Sequence, residues 1–180
     1  MKSSISETLE GQLVKLRALE PEDADRIFDW ENNPEFWEVS NTLMPFSKHI
    51  IRNYIETAPD IFQAKQIRLM IDLKLPEKKT IGTIDIFDFD AYHHRAGVGI
   101  LISEKEDRGK GYALDALKTL SNYCFSKLQL HQLYCNILAD NVVSISLFKK
   151  AGFFAAGHKK DWVWTPEGYK DEYLFQLVNE

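Results

Sequence analysis

Two groups of residues in this chain have the types and spacing to do chemistry. The first is the run Glu106-Asp107-Arg108-Gly109-Lys110-Gly111-Tyr112-Ala113-Leu114. A diphosphate is held by several backbone N–H groups converging on it, and glycines let the main chain come close in turns that other residues resist. The first amides of a helix have no internal partners and lie at the positive end of its dipole. Ala113, Leu117, Leu120 and Cys124 follow at spacings of four, three and four, which predicts an amphipathic helix directly after the glycines. Val98-Gly99-Ile100-Leu101-Ile102 reads as a buried strand before them. Strand, glycine loop and helix together form a diphosphate cradle, as a coenzyme-binding enzyme requires. The run lacks the Gly-Lys-Ser/Thr of a nucleotide-triphosphate loop and the three spaced glycines of the dinucleotide fingerprint. Taken alone, Arg-Gly-Lys-Gly also fits a solvated basic turn.

The second group is acidic. Asp85, Asp88 and Asp90 alternate with apolar residues along and just beyond a strand expected at Thr80 to Phe87. Carboxylates so placed can bind a cation or accept its proton. They can equally form the solvated face of an edge strand, the reading preferred for Asp90 and left open for Asp85.

The elements that must position these groups follow from pattern. Met1 to Glu10 is polar and reads as a flexible tail, and residues 11–180 as a single domain large enough to bury a core without metal or disulfide staples. Leu13, Leu16 and Leu19 mark a first strand. Pro21-Glu22-Asp23 starts a helix through Trp30 that Asn32-Asn33-Pro34 ends. Glu35 to Pro45 has no clear periodicity, and Ser47 opens a helix to about Thr57. Strands are expected at Gln66 to Leu73 and Thr80 to Phe87, joined by a turn at Pro76-Glu77-Lys78-Lys79. After the glycine-loop helix, His131 to Leu138 alternates as a strand. Asp140-Asn141 caps a helix to Ala151 that Gly152 closes, and strands near Phe153 to His158 and Glu172 to Val178 finish the chain.

The net charge of −5 argues against a general nucleic-acid binder, which needs a basic stripe. Cys124 lies on the apolar face of the predicted helix and Cys135 within a predicted strand, so both read as core residues of a reduced protein. No Cys/His spacing suggests zinc, and no segment has the apolar length of a membrane span or the layout of a signal peptide. The expectation is a cytoplasmic protein with no metal, no nucleic acid and no membrane partner. Self-association into a homo-oligomer stays open.

The order of elements, the glycine loop and the run Asp140 to Phe153 together resemble the GCN5-related N-acetyltransferase (GNAT) superfamily over roughly Gln12 to Val178. Leu13 to Arg17, the Asp-Asn-x-x-Ser helix start and Tyr169-Lys170-Asp171 resemble the branch that contains spermidine N-acetyltransferases and ribosomal-protein N-terminal acetyltransferases. Gly82 to Asp88 and His93 to Ala96 also resemble the polyamine enzymes. The resemblance implies a mixed α/β fold with a central, mostly antiparallel sheet, a splayed pair of parallel strands and about four helices. It implies acetyl-CoA as co-substrate, lying between the strand that includes Ile100, Leu101 and Ile102 and the strand His131 to Leu138. A bulge parts such neighbours and frees backbone groups for the pantetheine amides. The pyrophosphate would sit on the amides of Arg108, Gly109, Lys110, Gly111, Tyr112 and Ala113, with Asn141 and Ser144 near the coenzyme arm. Trp37 and Glu38 fall in the segment that walls the acceptor site in this family, although Trp37 also fits a core aromatic.

Two positions depart from the family pattern. Glu106 stands where Gln or Arg is usual, and Phe148 replaces the tyrosine thought to protonate the leaving thiolate. Ser144 and Tyr134 are then the side chains available as proton donors, with a bound water as the alternative. His93 and His94 read as turn or surface residues.

Acetyl transfer in this family proceeds by direct attack of a neutral amine in a ternary complex, so neither cysteine is assigned as a nucleophile. An amine of pKa about 10.4 costs roughly 4 kcal/mol to neutralise near pH 7.4, whereas an α-amine near about 8 costs under about 1 kcal/mol. A polyamine acceptor therefore calls for acids, and Asp85, Asp88, Trp37 and Glu38 are the candidates to bind it. The preferred reading is N-acetylation of spermidine or a related polyamine. The alternatives are acetylation of protein N-termini and a non-catalytic acyl-CoA-binding domain.

Overall fold

The computed structural model of the chain describes residues 8–40, 42–57, 60–74 and 79–180, and the side chains of residues 38–40 fall outside that description. Residues 1–7 of the expected tail and 76–78 of the expected turn also lie outside the described residues. Leu9 and Glu10, read as tail, are joined to the fold: Leu9 packs on the core and Glu10 bridges Lys15.

The chain opens with β1 (Val14–Ala18), a short 3-10 turn at Pro21–Asp23, and α1 (Ala24–Glu31). There follow α2 (Pro34–Ser40), α3 (Lys48–Thr57) and the single turn α4 (Ile61–Ala64). Then come β2 (Ile67–Leu73), β3 (Thr80–Asp90) and β4 (Arg95–Ile102), and after a 3-10 turn at Lys105–Asp107 the helix α5 (Tyr112–Ser126). β5 (Gln132–Leu138), α6 (Val142–Lys150), β6 (Phe154–Thr165) and β7 (Gly168–Val178) complete it. The described residues thus hold six helices rather than about four.

The difference at α2 has a local cause. Asn33-Pro34, expected to stop the first helix, follows its end at Glu31 and also starts another: the Asn33 side chain accepts the Glu35 N–H at 3.0 Å, and proline occupies the first helical position, where no amide is needed. The segment of Trp37 and Glu38 is therefore helical. The loop expected around Thr165 to Gly168 is a tight turn, and β6 and β7 run up to it as a long hairpin.

The seven strands form one mixed sheet in the order β1-β2-β3-β4-β5-β7-β6, antiparallel except for the parallel pair β4 and β5. Leu69 and Ile71 of β2 join the larger core, which packs Ile84, Ile86, Val98 and Leu133 against Leu117 and Leu120 of α5. Met70, between them, points to the other face, where Ile27 of α1 and Ile51 and Ile55 of α3 cover it. Helices thus lie on both faces of the sheet, and the apolar part of the second layer centres on Met70 of β2.

A buried carboxylate fastens that second layer. Asp23, ahead of α1, is 2% exposed and takes two bonds from Arg17 of β1, at 2.6 and 2.9 Å, and one from the Glu20 N–H at 3.0 Å. Burial pushes this carboxyl up, but the Arg17 hydrogen bonds, the Glu20 amide and the charges of Arg17 and Arg26 outweigh it and hold it below the usual carboxylate range. A depressed folded-state pKa contributes stability above the unfolded value, near about 3.9, that is lost as pH falls through the folded value. We expect Asp23→Asn to lower stability by about 3 kcal/mol at neutral pH and to flatten the loss of stability below about pH 4, measured by denaturant unfolding across that range.

Candidate functional site

β4 is paired with β3 from Gly97 to Ile102, but with β5 only through Arg95, Ala96 and Gly97, opposite Gln132, Leu133 and Tyr134. Beyond that point the two parallel strands diverge. The amide and carbonyl groups of Val98 to Ile102 that face away from β3 therefore have no strand partner, and buried backbone groups demand one. The irregularity beside this divergence lies in β3, where the register shifts between Phe87 and Asp90 and Asp88 takes a positive φ of 47°. A bulge was expected to part β4 and β5 themselves; the register shift falls on the other side of β4.

The glycine loop follows at the open end of the divergence. Gly109 and Gly111 have φ of 75° and 88°, the left-handed region that side chains disfavour. Among the described residues, no group accepts a hydrogen bond from the backbone N–H of Gly109, Lys110, Gly111, Tyr112, Ala113 or Leu114. Six consecutive amides at the start of α5 thus have the arrangement a diphosphate takes. A Cβ on Gly109 would meet nothing within 4 Å, so the space above the loop is open.

Arg108 departs from its expected place in the cradle. Its N–H is bound to the Lys105 carbonyl, and its guanidinium donates to the carbonyls of Ile102 at 3.1 Å and Ser103 at 2.9 Å while lying over the Phe36 ring. Arg108 fastens the loop to the end of β4, and the exposed Lys110 is left as the cation of the loop. Glu106, at the position where the family has Gln or Arg, bonds to Lys79 at 2.9 Å, as does the buried Asp107 at 2.7 Å.

On α6, the Asn141 side-chain oxygen accepts the Ser144 N–H at 3.1 Å, so its carbonyl caps the helix and its amide N–H groups remain able to donate. Phe148 is 4% exposed and packs edge-on against Phe153 in the main core. Burial pushes the Cys124 thiol up to about 12 and raises Cys135 as well, which leaves both protonated and inert.

The face of the sheet opposite α5 carries the acids. The Phe87 ring lies across Gly97, where a Cβ would stand 2.2 Å from it, whereas a Cβ on Gly99 would meet only the same ring, at 3.8 Å. β4 is therefore bare at Gly99, just past its last pairing with β5. Asp85, opposite Gly99 on β3, is not free: both its oxygens bond to Arg68 at 2.8 Å, and Arg68 also bonds to Glu31 at the end of α1. Asp85, expected either to handle a cation or to lie on a solvated strand face, is thus paired with Arg68, a long-range partner that carried no local signal. Trp37 is half-buried and donates its indole N–H to the Glu31 carbonyl at 3.0 Å; the side chain of Glu38 lies outside the described residues.

On the other side of Phe87, the Tyr134 hydroxyl donates to Asp88 at 3.0 Å. Burial, then the bond to Asp88 and its charge, push the Tyr134 phenol up to about 12. Asp90 caps the turn through the amides of Tyr92 and His93 and pairs with Arg95. Asp88, Asp90, Arg95, Tyr134, Leu174 and Gln176 line a hollow of about 510 Å³. His94 bonds to the Gln129 carbonyl, and both His93 and His94 are exposed turn residues.

A family model described as an acetyltransferase (GNAT) domain matches residues 14–154. An uncharacterized N-acetyltransferase of Bacillus licheniformis, p20, is 27% identical over 173 residues, 96% of each chain. The spermidine N(1)-acetyltransferase of Escherichia coli K12 is 26% identical over 148 residues, 80% of this chain and 74% of the relative. The crystal structure of spermidine N-acetyltransferase from Vibrio cholerae in complex with CoA and spermine superposes with a TM-score of 0.80 at 24% identity, over 92% of this chain and 95% of that one. With that match over most of its length, the chain belongs to the GNAT family of acetyl-CoA-dependent N-acetyltransferases.

Proposed function

We propose that this enzyme acetylates a primary amine of spermidine or a related polyamine by direct attack in a ternary complex. The observation that carries the reading is the bare face of β4 at Gly99 between two acidic centres, each holding two carboxylates against one guanidinium. On one side Glu31 and Asp85 share Arg68; on the other Asp88 and Asp90 lie with Arg95. Each centre has a formal charge of −1, which suits an acceptor with more than one ammonium group. The spermidine acetyltransferases among the relatives support the same acceptor class.

Acetyl-CoA supplies the acyl group as an activated thioester. The chain holds its diphosphate on the amides of Gly109 to Leu114 and its pantetheine amides on the backbone of β4 past Gly97 that has no β5 partner, with Asn141 donating to the arm. The amine enters across Gly99. Asp88 draws the ammonium and takes its proton, and Tyr134, protonated throughout the neutral range, is the donor beside it. Ser144, at the other wall of the divergence, is the second hydroxyl within this scheme. Asp85 with its Arg68 bonds acts as a fixed part of the acidic wall.

Thiol release from acetyl-CoA across spermidine, spermine, simple diamines and N-terminal peptides tests the acceptor. We expect kcat/KM for the polyamines to exceed that for peptides by on the order of a hundredfold, about 2.7 kcal/mol. The reverse order would make the enzyme an N-terminal acetyltransferase, and coenzyme binding without turnover of any amine would make it a binding domain. Gly111→Val strains a φ of 88° and is expected to raise the KM for acetyl-CoA by roughly tenfold or more with the amine KM unchanged, in steady-state titrations of each substrate. Asp88→Asn is expected to raise the polyamine KM by about tenfold and leave the KM of an N-terminal peptide within about twofold, which separates cation binding from a purely structural role.

A further inference from the structure

We infer that the turn from Leu9 to Val14, gripped by Asp115, is a brace that sets the coenzyme loop, and that Asp115 is a positioning residue for acetyl-CoA binding; this rests on the coenzyme reading above. Asp115 lies in the first turn of α5, one residue beyond the last unclaimed amide. Its carboxylate accepts three consecutive backbone N–H groups from the far N-terminal side of the chain: Gln12 at 3.1 Å, Leu13 at 2.8 Å and Val14 at 3.0 Å. Its own N–H donates to the Gly111 carbonyl at 3.0 Å. One residue thus joins the glycine loop to the entry of β1.

The turn it holds is built to meet it. The Gly11 N–H bonds to the Val14 carbonyl, the Leu16 N–H to the Leu9 carbonyl, and Lys74 ties the turn to the end of β2 through the carbonyls of Gly11 and Leu13. A Cβ on Gly11 would stand 2.3 Å from the Asp115 carboxylate and 2.6 Å from the Thr119 hydroxyl, so only glycine lets the turn come this close. Leu13, 44% exposed, contributes little to the core, yet its Cδ1 lies 3.6 Å from where a Gly111 Cβ would be. Its place is under the loop.

The charge arrangement supports the same role. A carboxylate in the first turn of a helix is favoured by the dipole, but left bare it would repel a diphosphate held one turn away. Three N–H donors, from Gln12, Leu13 and Val14, compensate the Asp115 charge. The brace therefore fixes the loop and also spares the coenzyme an unscreened anion.

The test uses the full chain and acetyl-CoA as the probe, with Kd from titration calorimetry, kcat and KM on the best acceptor of the panel, and thermal melting to confirm folding. Asp115→Asn and Gly11→Ala are expected to raise the Kd and KM for acetyl-CoA by on the order of tenfold, and Leu13→Ala by about threefold, with kcat at saturating coenzyme and the amine KM unchanged. Leu13→Ala decides the matter if the other two fail to fold, since it removes only a half-exposed side chain. Folded variants that bind acetyl-CoA as tightly as the parent, or that lose kcat with KM unchanged, would overturn the brace and leave the coenzyme reading standing. A parent protein that binds neither acetyl-CoA nor CoA would overturn both.

Discussion

The structure depends on one unsatisfied edge inside a sheet. β4 is fully paired with β3 but only briefly with β5, and the residues past Gly97 have a strand on one side and an opening on the other. A sheet interior does not tolerate orphaned amides and carbonyls unless something else takes them. The rest of the fold maintains that opening. α5 and the main core hold β4 and β5 on one face, the β5 to β7 ladder runs the full length of β5 and keeps it from closing on β4, and Arg108 secures the carbonyls at the end of β4. The divergence is stabilised by its neighbours, and it leaves backbone groups that an extended chain with amide groups would satisfy.

This constraint also explains how a chain of net charge −5 can accept a polyanion. On the proposed reading the loop offers oriented backbone amides and one exposed cation, Lys110, because the Arg108 guanidinium is committed to carbonyls, and the carboxylates closest in sequence, Glu106, Asp107 and Asp115, are each occupied by a lysine or by amides. Local neutralisation of those anions leaves the helix terminus as the dominant field at the loop. The acidic surplus is placed on the opposite face, around Gly99, where an ammonium group would approach. Separation of the two fields by the sheet lets one site receive partners of opposite sign.

What was legible in the sequence was local. The glycine loop, the four-three-four face of α5 and the Asn141 cap all depend on residues within a few positions of each other, and the structure has each of them. Asn33-Pro34 misled because asparagine before proline serves equally to end one helix and begin the next, and here it does both. The pairing of Asp85 with Arg68 and of Asp115 with Gln12 to Val14 joins elements 17 and about a hundred residues apart, respectively, and nothing in the composition of either segment signals it. Strand alternation showed Asp85 on a face; only register could show that Arg68 stands opposite.

The substitution at Phe148 then acquires a physical meaning. A phenol there would sit in the main core, where Phe148 now packs against Phe153 and needs no partner for a hydroxyl. With that position apolar, α6 offers no phenol, and proton handling on the proposed reading shifts to the other face. Burial and the carboxylate beside it raise the Tyr134 pKa to about 12, so the hydroxyl is protonated at neutral pH and donates its hydrogen bond to Asp88. Asp88, held at a positive φ by the bulge, is the group that can take a proton. On that reading the bulge in β3 serves the chemistry as well as the fold, since without the extra residue between Phe87 and Asp90 the carboxylate would follow the alternation of the strand and point to the other side of the sheet.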